Sequence, residues 1–450
     1  MRRLVVIGGG ISGLAAAWAA RRAGGADELE VRVLERAREV GGKANSIARD
    51  GWLVESGPSG YLGGRPELER LIEEVGLSGE RVPVNAASVR RFLFRAGRMR
   101  RLIANPVGLL TEGVLGPGGV ARMLAEPFIP RRNDDGDESV WEFAARRLGT
   151  DVADRMILPM ALGIFAGDAR RLSLAAAFPR MAALEREHGS LIRGMIARRK
   201  GPGPGGLSSF RLGMQQLPRT LAERGGFTVR CNASVNGLAR AGTGWLVAVA
   251  GDREPIPADG VILAGEPWSV APLLAPHDER LASDLAGIVC PPVAVVALGY
   301  GPAAAAHIPK GFGVLIARGE GFRMLGNLWE AQLYPGRGPA GHALVRAMYG
   351  GAVDPEAGTL PEEELVALAQ QEVTRLYGMS DLPMLTQVAR WPQAIPQYEI
   401  GHPARVARIE AAVAALPRLA ITGNGLRGVS FADAATDGLR TGEALARSLI

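Results

Sequence analysis

The chain has 450 residues, of which 47% are hydrophobic, and its net charge is +6. This length and composition predict two or three domains with ordinary apolar cores. Cys231 and Cys290 are isolated, which excludes a disulfide framework and a C-x-x-C site and favours a reducing compartment. The five histidines lack metal-ligand spacing and no G-x-S-x-G turn occurs, so neither a metal site nor a hydrolase is predicted.

The beginning of the chain carries a dinucleotide-binding pattern. A short apolar strand is followed by Gly8, Gly10 and Gly13, which form G-x-G-x-x-G at the start of a helix. Gly8 allows the tight turn, Gly10 lets a pyrophosphate approach the backbone, and Gly13 lets the helix pack on the strand. The helix N-terminus favours phosphate. Glu35 ends a second strand at the distance suited to a ribose hydroxyl, which favours FAD or NAD over NADP.

A second glycine-rich segment and the apolar N-terminus each allow another interpretation. Residues 201–206 also match the pattern, but they follow a basic run and no strand, so they are interpreted as a Gly/Pro linker. A signal peptide would explain the apolar stretch after Arg2 and Arg3, but the three glycines and Ser12 interrupt that stretch and Glu35 would have no purpose.

The following segments indicate which dinucleotide is bound. Residues 40–43, Val-Gly-Gly-Lys, and residues 51–58, Gly-Trp-Leu-Val-Glu-Ser-Gly-Pro, resemble the flavin-lining loops of the amine-oxidase-like flavoprotein superfamily. The resemblance implies FAD, and with no second strand-linked fingerprint no separate NAD domain is expected. The cofactor contacts it implies are Gly8, Gly10, Ile11, Ser12, Gly13, Glu35, Arg36, Gly42, Lys43, Gly57, Pro58, Val235, Trp391, Gly423, Asn424, Val429 and Ser430.

The remaining elements follow in chain order. A helix is predicted over 66–76 and a hairpin over 89–103, and residues 104–200 are mostly helical with a small-residue break at 163–168. Helices are also predicted over 138–148, 213–225, 361–376 and 433–449, and strands over 227–231, 235–238, 244–249, 261–264, 292–298, 313–316, 343–348 and 419–422.

The charge is concentrated in one part of the chain. Residues 86–200 hold 20 Lys and Arg against 12 Asp and Glu, a local charge of +8. This is either a solvated basic face or a surface that meets anionic lipid heads. No apolar run is long enough to span a bilayer, so the expected membrane contact is peripheral. Nucleic acid is not expected, because aromatic residues are only 5% of the chain.

Several collinear motifs resemble the protoporphyrinogen oxidase family. They are Arg91-Phe92-Leu93, Gly163 to Asp168, Glu185-x-x-His188-x-Ser190, Gly311-Phe312-Gly313-x-Leu315, Met348-Tyr349-Gly350-Gly351 and Ile395-Pro396-Gln397-Tyr398-x-x-Gly401-His402. The last is the most specific of the set, and the resemblance runs from about residue 3 to residue 447.

The resemblance implies a reaction and a substrate pocket. Protoporphyrinogen IX would be oxidised to protoporphyrin IX, with oxygen or a quinone as electron acceptor and with no catalytic side chain, because the flavin carries the chemistry. Arg91 would pair with a propionate, and Arg90 is the alternative. The implied substrate contacts are Arg91, Gly163, Phe165, Gly167, Phe312, Leu315 and Met348. Phe312, Leu315 and Met348 would sandwich the rings, and the backbone of Gly163 to Gly167 would face the ring nitrogens.

The predicted fold class is α/β, with a Rossmann-type FAD-binding domain, a mixed-sheet substrate domain and an inserted, mainly helical membrane-associated domain. The FAD-binding domain is expected over 1–65, 207–260 and 385–450, and the substrate domain over 66–85 and 261–384. The helical domain with its Gly/Pro linker is expected over 86–206. The expected location is cytoplasmic, peripheral on the inner face of the cell membrane, with a homodimer as one option.

The alternatives stay open at this point. Leu426 and Ala434 stand where the family usually has Tyr and Cys, and Ser59-Gly60 replaces its more frequent Asn-Ser, which puts the tuning of the cofactor in doubt. The alternatives are a coproporphyrinogen III oxidase, an amine oxidase, a carotenoid desaturase or a non-enzymatic FAD-binding membrane protein. A tetracarboxylate substrate would favour further basic residues near Arg91, as Arg95, Arg98 and Arg100 provide.

Overall fold

A computed structural model gives the architecture, and it describes residues 1–103, 105–134, 136–198 and 206–450. Most of the predicted Gly/Pro linker, residues 201–205, lies outside this part. The strands and helices fall into two principal sheets, three small sheets and a helical segment.

The described strands, in chain order, are β1 Arg2–Ile7, β2 Leu29–Leu34, β3 Ser46–Arg49, β4 Trp52–Glu55, β5 Tyr61–Leu62, β6 Arg81–Pro83, β7 Arg91–Arg95, β8 Arg98–Arg101, β9 Leu207–Phe210, β10 Thr228–Arg230, β11 Val235–Ala241, β12 Gly244–Val249, β13 Ile256–Ala258, β14 Gly260–Leu263, β15 Val293–Tyr300, β16 Gly313–Ile316, β17 Gly326–Trp329, β18 Ala343–Gly350, β19 Leu385–Trp391 and β20 Leu419–Ile421.

The described α-helices are α1 Ile11–Glu28, α2 Pro66–Glu74, α3 Pro106–Thr111, α4 Pro117–Leu124, α5 Val140–Leu148, α6 Thr150–Val152, α7 Leu158–Phe165, α8 Leu174–Ala177, α9 Pro179–His188, α10 Leu191–Arg198, α11 Gln216–Arg224, α12 Pro267–Leu274, α13 Glu279–Ala286, α14 Pro302–Ala305, α15 Glu330–Leu333, α16 Glu362–Tyr377, α17 His402–Ala414 and α18 Phe431–Leu449. A π-helical turn, Ala153–Ile157, joins α6 to α7, and 3₁₀ turns occupy Ser78–Glu80, Ala86–Ser88, Glu126–Phe128 and Pro355–Gly358.

The first principal sheet is parallel, with the strand order β10-β2-β1-β14-β20. Its strands are apolar, as a sheet covered on both faces requires. The first and last helices of the chain, α1 and α18, pack together on one face. A Cβ atom on Gly438 would overlap Ser12 O, and one on Gly442 would overlap Ala16 O, so these glycines permit the close approach.

The second principal sheet is mixed, with the order β19-β15-β18-β17-β16-β7-β8. One face packs on α16 through a core that includes Val345, Ala347, Tyr349 and Val373. The opposite face carries the alternate residues of the same strands, because successive side chains of a strand point to opposite sides. That second face is the one turned toward the helices and the candidate site.

The helical segment between β8 and β9 is held by a buried charge centre. Arg147 and Glu126 are both fully buried, and their side chains form an ion pair. Arg147 also donates to the carbonyl oxygens of Ile129 and Gly189, at 2.8 and 2.9 Å. The Glu126 carboxylate accepts from the backbone N–H of Leu191 at 2.9 Å, at the start of α10. No described helix is long and apolar enough to cross a membrane.

The sheets place three chain segments differently from the expected domain ranges. The β7–β8 hairpin, expected in the helical domain, and β19, expected in the FAD-binding domain, are both strands of the mixed sheet. The strand β14, expected in the substrate domain, pairs with β1 and β20 in the parallel sheet. Strand pairing between residues far apart in sequence decides these memberships, and no local pattern reports it.

Two element ends also differ from the prediction. The expected break at 163–168 begins later, because α7 continues through Gly163 to Phe165 and ends at Ala166, which has a left-handed φ of 47°. The C-terminal helix begins at Phe431 and not at Asp433, because the Ser430 side chain caps it by accepting from the Asp433 N–H at 3.1 Å.

Candidate functional site

The predicted cofactor residues gather at the carboxyl edge of the parallel sheet. Gly8 follows β1 with a φ of 115°, and its N–H donates to Leu34 O at 2.8 Å. A Cβ atom on Gly8 would stand 2.8 Å from Ala264 O, just after β14. Gly423 follows β20 and lies beside Ser12 at the start of α1. The strand ends therefore converge where parallel α/β sheets bind ligands.

The three fingerprint glycines have different surroundings. A Cβ atom on Gly13 would overlap Gly8 O, so Gly13 serves the packing of α1 on β1. A Cβ atom on Gly10 would have no atom within 4 Å, although its φ of −73° suits any residue. Gly42 faces this space, since its own Cβ would stand 3.4 Å from Gly10 Cα. The open space at the N-terminus of α1, where Ile11 and Ser12 begin the helix, fits a bound pyrophosphate.

Glu35 is buried at the end of β2 and is fixed by backbone donors. Its two carboxylate oxygens accept from Gly9 N at 2.6 Å and from Ala37 N at 2.7 Å. The Ala233 N–H donates to Glu35 O at 2.8 Å, which brings the following Val235, at the start of β11, close to this edge. The acid is thus preorganised for a ribose hydroxyl, in agreement with a dinucleotide site.

Arg36 and Lys43 lie on the α12 side of the same edge. The Arg36 guanidinium lies over the Trp268 ring, 4.7 Å from its centroid. Lys43 Nζ and Glu266 Oε1 form an ion pair at 2.6 Å. Two buried atoms here, Glu266 Oε2 and the Trp268 indole nitrogen, have no hydrogen-bond partner among the described residues. The site therefore combines open space for a pyrophosphate, an acid suited to a ribose hydroxyl and buried polar atoms that can still form hydrogen bonds. These features fit FAD.

The turn containing Gly57 and Pro58 is held by a buried ion pair. Arg346 Nη2 donates to Gly57 O at 2.7 Å, and Arg346 Nη1 donates to Glu330 Oε1 at 2.7 Å and to Ser59 Oγ. The side chains of Arg346 and Glu330 are only 2% and 1% exposed. Trp391 Nε1 donates to Ser56 O at 2.8 Å from the end of β19. The mixed sheet thereby positions the turn that is expected to line the flavin.

A second buried acid lies beneath this turn. Glu55 accepts from Ser46 Oγ at 2.6 Å and from Met214 N at 3.0 Å, and Arg337 Nη2 lies 3.2 Å away. Burial raises the pKa of the Glu55 carboxyl to about 7, although the Arg337 guanidinium acts to lower this pKa. Burial dominates here because the carboxylate loses its hydration.

The C-terminal loop completes the cofactor edge. Gly423 N and Thr422 Oγ1 both donate to Asp437 Oδ2, at 3.2 and 2.7 Å. Asn424 O accepts from the Tyr398 hydroxyl, and Ser430 caps α18 beside the half-buried Val429. The helix N-terminus is accordingly directed at the same edge as the N-terminus of α1.

Two of the predicted substrate residues, Leu315 and Met348, lie on one face of the mixed sheet. Leu93 pairs with Leu315, Leu315 with Gly326, Gly326 with Met348, and Met348 with Val295. Paired side chains share a face, so these residues form one row across five strands. Gly326 has no side chain, and both its neighbours in the row are half-buried. Leu315 and Met348 therefore flank a position that carries no side chain, a role for Gly326 that was not predicted from the sequence.

The end of α7 and the turn after it close one side of this row. A Cβ atom on Gly163 would stand 2.5 Å from Leu315 Cδ2, so Gly163 lies directly against the row. Ala166 O accepts from the Ala352 N–H at 2.7 Å, and a Cβ atom on Gly351 would overlap the same oxygen. Two predicted motifs, 163–168 and 348–351, are thus packed against each other.

The resemblance implies a backbone contact from Phe165, and the structure buries its ring. Its side chain is only 2% exposed and packs on Phe178 and Tyr398, with ring centroids 5.5 and 6.2 Å away. The ring is therefore core, and it is the Phe165 carbonyl that serves the site, by accepting from Gln397 Nε2 at 2.9 Å. Gly167 also contacts this glutamine, since a Cβ atom there would overlap Gln397 Oε1.

Arg91 is the predicted propionate partner, and it lies at the exposed end of β7. Its guanidinium stands over the Phe312 ring, 4.9 Å from the centroid. Its neighbour Arg90 uses its carbonyl oxygen to accept from Phe312 N at 2.8 Å. The structure thus places the Arg91 side chain and the Arg90 backbone on the same aromatic residue, Phe312.

Three residues of the 395–402 signature also belong to this site, although no role was predicted for them. Gln397 contacts the turn after α7, Tyr398 contacts the cofactor loop, and His402 stacks on Tyr398 with centroids 4.3 Å apart. His402 is buried, and its ring nitrogen Nε2 donates to Leu426 O at 2.9 Å. Burial lowers the pKa of His402, so the neutral ring is favoured. In the sequence, only the specificity of the motif from Ile395 to His402 indicated that these residues belong to a functional site.

Comparison with known proteins places the chain among flavoproteins. Residues 11–446 match the family model described as flavin containing amine oxidoreductase. A coproporphyrinogen III oxidase of Propionibacterium freudenreichii subsp. freudenreichii is 31% identical over 96% of this chain and 89% of its own length. The chloroplastic protoporphyrinogen oxidase 1 of Spinacia oleracea is 30% identical over 88% of this chain and 75% of its own length. A solved structure from Exiguobacterium sp. 255-15 is similar with a TM-score of 0.88, at 25% identity over 99% of both chains.

Proposed function

The chain belongs to the family of flavin-containing amine oxidoreductases and is an FAD-dependent oxidoreductase, and on this premise we propose that it oxidises protoporphyrinogen IX to protoporphyrin IX. The observation that carries the proposal is the apolar row of Leu315, Gly326 and Met348, with Arg91 stacked on Phe312 on a neighbouring strand. A flat macrocycle with carboxylates at its edge requires such a face and such a cation.

The residues of the chain bind and orient the substrate. The macrocycle lies over the row, the α7 turn at Gly163 limits its position at one side, and the Arg91 guanidinium pairs with a propionate. FAD, when bound, supplies the acceptor for hydride from the ring carbons. Arg346 connects the two parts, because it lies on the same face of β18 as Met348 and also holds Gly57 O.

The overall reaction removes six hydrogen atoms from the macrocycle. It therefore needs three successive two-electron oxidations for each porphyrin released, and oxygen or a quinone is proposed as the acceptor. This last part, like assembly as a homodimer, rests on the resemblance to the family and remains a prediction.

Coproporphyrinogen III is the second candidate substrate. The exposed cations nearest Phe312 are Arg90, Arg91 and Lys310, and none of them forms an ion pair within the described part of the chain. By contrast, Arg100 is engaged by the carbonyl oxygens of Arg95 and Glu112, at 3.2 and 2.9 Å. Exposed positive charge for further carboxylates is thus present at Arg90, Arg91 and Lys310, whereas the Arg100 guanidinium is already engaged.

The test of the reaction compares both substrates in one assay. Purified protein with bound FAD is mixed with each porphyrinogen, and porphyrin fluorescence reports the product. Protoporphyrin formation with the higher kcat/KM supports the first candidate, and a preference for the tetracarboxylate supports the second. Oxidation of an amine with no porphyrin from either substrate would overturn both.

We also propose that the helical segment docks on an anionic membrane surface without spanning it. Four large apolar side chains are exposed on adjoining elements: Leu124 and Phe128 at 50% and 83%, and Met195 and Ile196 at 51% and 61%. The Arg147–Glu126 centre beneath them holds the Phe128 turn against α10. A rigid apolar surface within a basic segment favours the lipid interface over the bilayer interior.

A further inference from the structure

The 395–402 segment connects the two halves of the candidate site through adjacent side chains. Gln397 is 3% exposed, and its Nε2 donates to Phe165 O and Ile395 O, both at 2.9 Å. Since Gly167 lies against Gln397 Oε1, the amide is enclosed by the turn after α7. This turn directly follows the end of α7, where Gly163 lies against the substrate face.

Tyr398 makes the corresponding contact on the cofactor side. It is 1% exposed, and its hydroxyl donates to Asn424 O. His402, stacked on the Tyr398 ring at an interplanar angle of 22°, donates to Leu426 O. The stacked Tyr398 and His402 side chains therefore hold two carbonyl groups, those of Asn424 and Leu426, in the loop between β20 and α18.

The backbone of this segment is itself anchored. Gln397 N donates to Val289 O at 2.8 Å, and Tyr398 O accepts from Ser173 N at 2.8 Å. Because one peptide links Gln397 to Tyr398, the two loops are joined by a short and buried path of hydrogen bonds.

We propose that Gln397 and Tyr398 are positioning residues that fix the distance between the substrate-facing turn at 163–168 and the cofactor loop at 423–426. The proposal rests on the proposed function, since it assigns the two loops to porphyrinogen and FAD. Neither side chain needs to contact the reacting atoms. They couple the binding free energy of FAD to that of the porphyrinogen, and such coupling is reciprocal.

The experiment measures this coupling with tyrosine variants that differ by a single hydroxyl. Deflavo protein is titrated with FAD in the presence and absence of the porphyrin product, protoporphyrin IX. The test variant is Tyr398→Phe. The matched control is Tyr377→Phe, because Tyr377 is a buried tyrosine of the mixed-sheet core whose hydroxyl bonds Trp329 Nε1 and Asn327 Oδ1, both at 2.6 Å. Gln397→Met is the second test variant.

The wild-type protein should bind FAD more tightly when the porphyrin is present. In Tyr398→Phe and in Gln397→Met this enhancement should fall by about fivefold or more, and the double variant should lose little beyond either single one. Tyr377→Phe should keep the enhancement, although its unfolding temperature should fall. The visible spectrum of bound flavin should shift in Tyr398→Phe and not in Tyr377→Phe.

One result would overturn the positioning role alone, and another would overturn the proposed function. Equal coupling and equal flavin spectra in wild-type, Tyr398→Phe and Tyr377→Phe proteins would overturn the positioning role and leave the proposed function intact. A wild-type protein that binds FAD but no porphyrin would overturn the proposed function, and the positioning role would fall with it.

Discussion

Arg346 Nη2 donates a hydrogen bond of 2.7 Å to the carbonyl oxygen of Gly57. This contact joins the strand that carries Met348 to the turn that is expected to line the flavin. Arg346 is buried, and its position is fixed by its ion pair with Glu330 and by its place on β18 of the mixed sheet. The relationship explains how a row of apolar residues and a dinucleotide site that are remote in sequence become one site.

Replacing Arg346 should show the strength of this connection. Arg346→Met leaves Glu330 buried without its partner and should lower the free energy of unfolding by about 3–5 kcal/mol. The double variant Arg346→Met with Glu330→Leu should recover most of this loss, yet its flavin content should stay low, because Gly57 O lacks its donor. Urea denaturation and flavin absorbance measure the two effects. Full flavin content in the double variant would contradict this role of Arg346.

Gly10 should be required for FAD and not for folding. Gly10→Val fills open space, so the apoprotein should keep its unfolding temperature while flavin absorbance is lost. Gly116→Val is the matched control, because Gly116 also precedes a helix in extended backbone with no atom near its Cβ position. Gly13→Ala should instead destabilise the fold, since its Cβ would overlap Gly8 O. A yellow Gly10→Val protein would disprove the cofactor position.

Arg91 and Arg90 should differ in substrate binding. Arg91→Ala removes a charged partner of a propionate, which should cost about 1.5–3 kcal/mol, or about ten- to hundredfold in KM, with a smaller effect on kcat. Arg90→Ala keeps the backbone bond to Phe312 and should change KM far less. Initial rates from porphyrin fluorescence give both constants. An equal effect of the two variants would refute the assignment to Arg91.

The exposed apolar surface of the helical segment should hold the protein on anionic vesicles. Phe128→Asp and Ile196→Asp should each reduce the fraction that floats with vesicles, including the part that resists high salt, since burial of apolar side chains is not screened. Leu382→Asp is the control, because Leu382 is 81% exposed outside this segment. Wild-type protein that stays wholly in the soluble fraction at low and at high salt would rule out the surface.

His402 should make stability depend on acidic pH. Burial lowers the pKa of His402, with Arg405 and Arg427 acting in the same direction, so the unfolded chain binds a proton more readily than the folded one. The contribution is therefore fully present above the unfolded pKa, about 6.5, and is lost progressively as pH falls below it. The unfolding temperature of the wild type should drop more steeply below this pH than that of His402→Gln. Parallel pH profiles would show that the His402 ring does not titrate in this way.

The agreement between prediction and structure is best where the signal is local. The strand, glycines and helix at the N-terminus, the β7–β8 hairpin and the helix α16 all occur as predicted, because apolar periodicity and turn residues act over a few positions. The burial of the Phe165 ring and the sheet membership of β19 could not be predicted from local pattern, for one physical reason. Whether a ring faces a core or a ligand, and which strand pairs with which, depends on residues hundreds of positions away.

The sequence by itself predicted a phosphate-binding turn at Gly10 and an acid at Glu35 from a local strand, glycine and helix pattern. The predicted cation at Arg91 and the apolar residues Leu315 and Met348 came from the resemblance to a family, and they remain predictions. Only the tertiary structure decided that Gly326 opens the apolar row, and that Arg346, Gln397 and Tyr398 hold the loops around it. These roles arise from hydrogen bonds and strand register between distant segments, which come into existence only when the chain is folded.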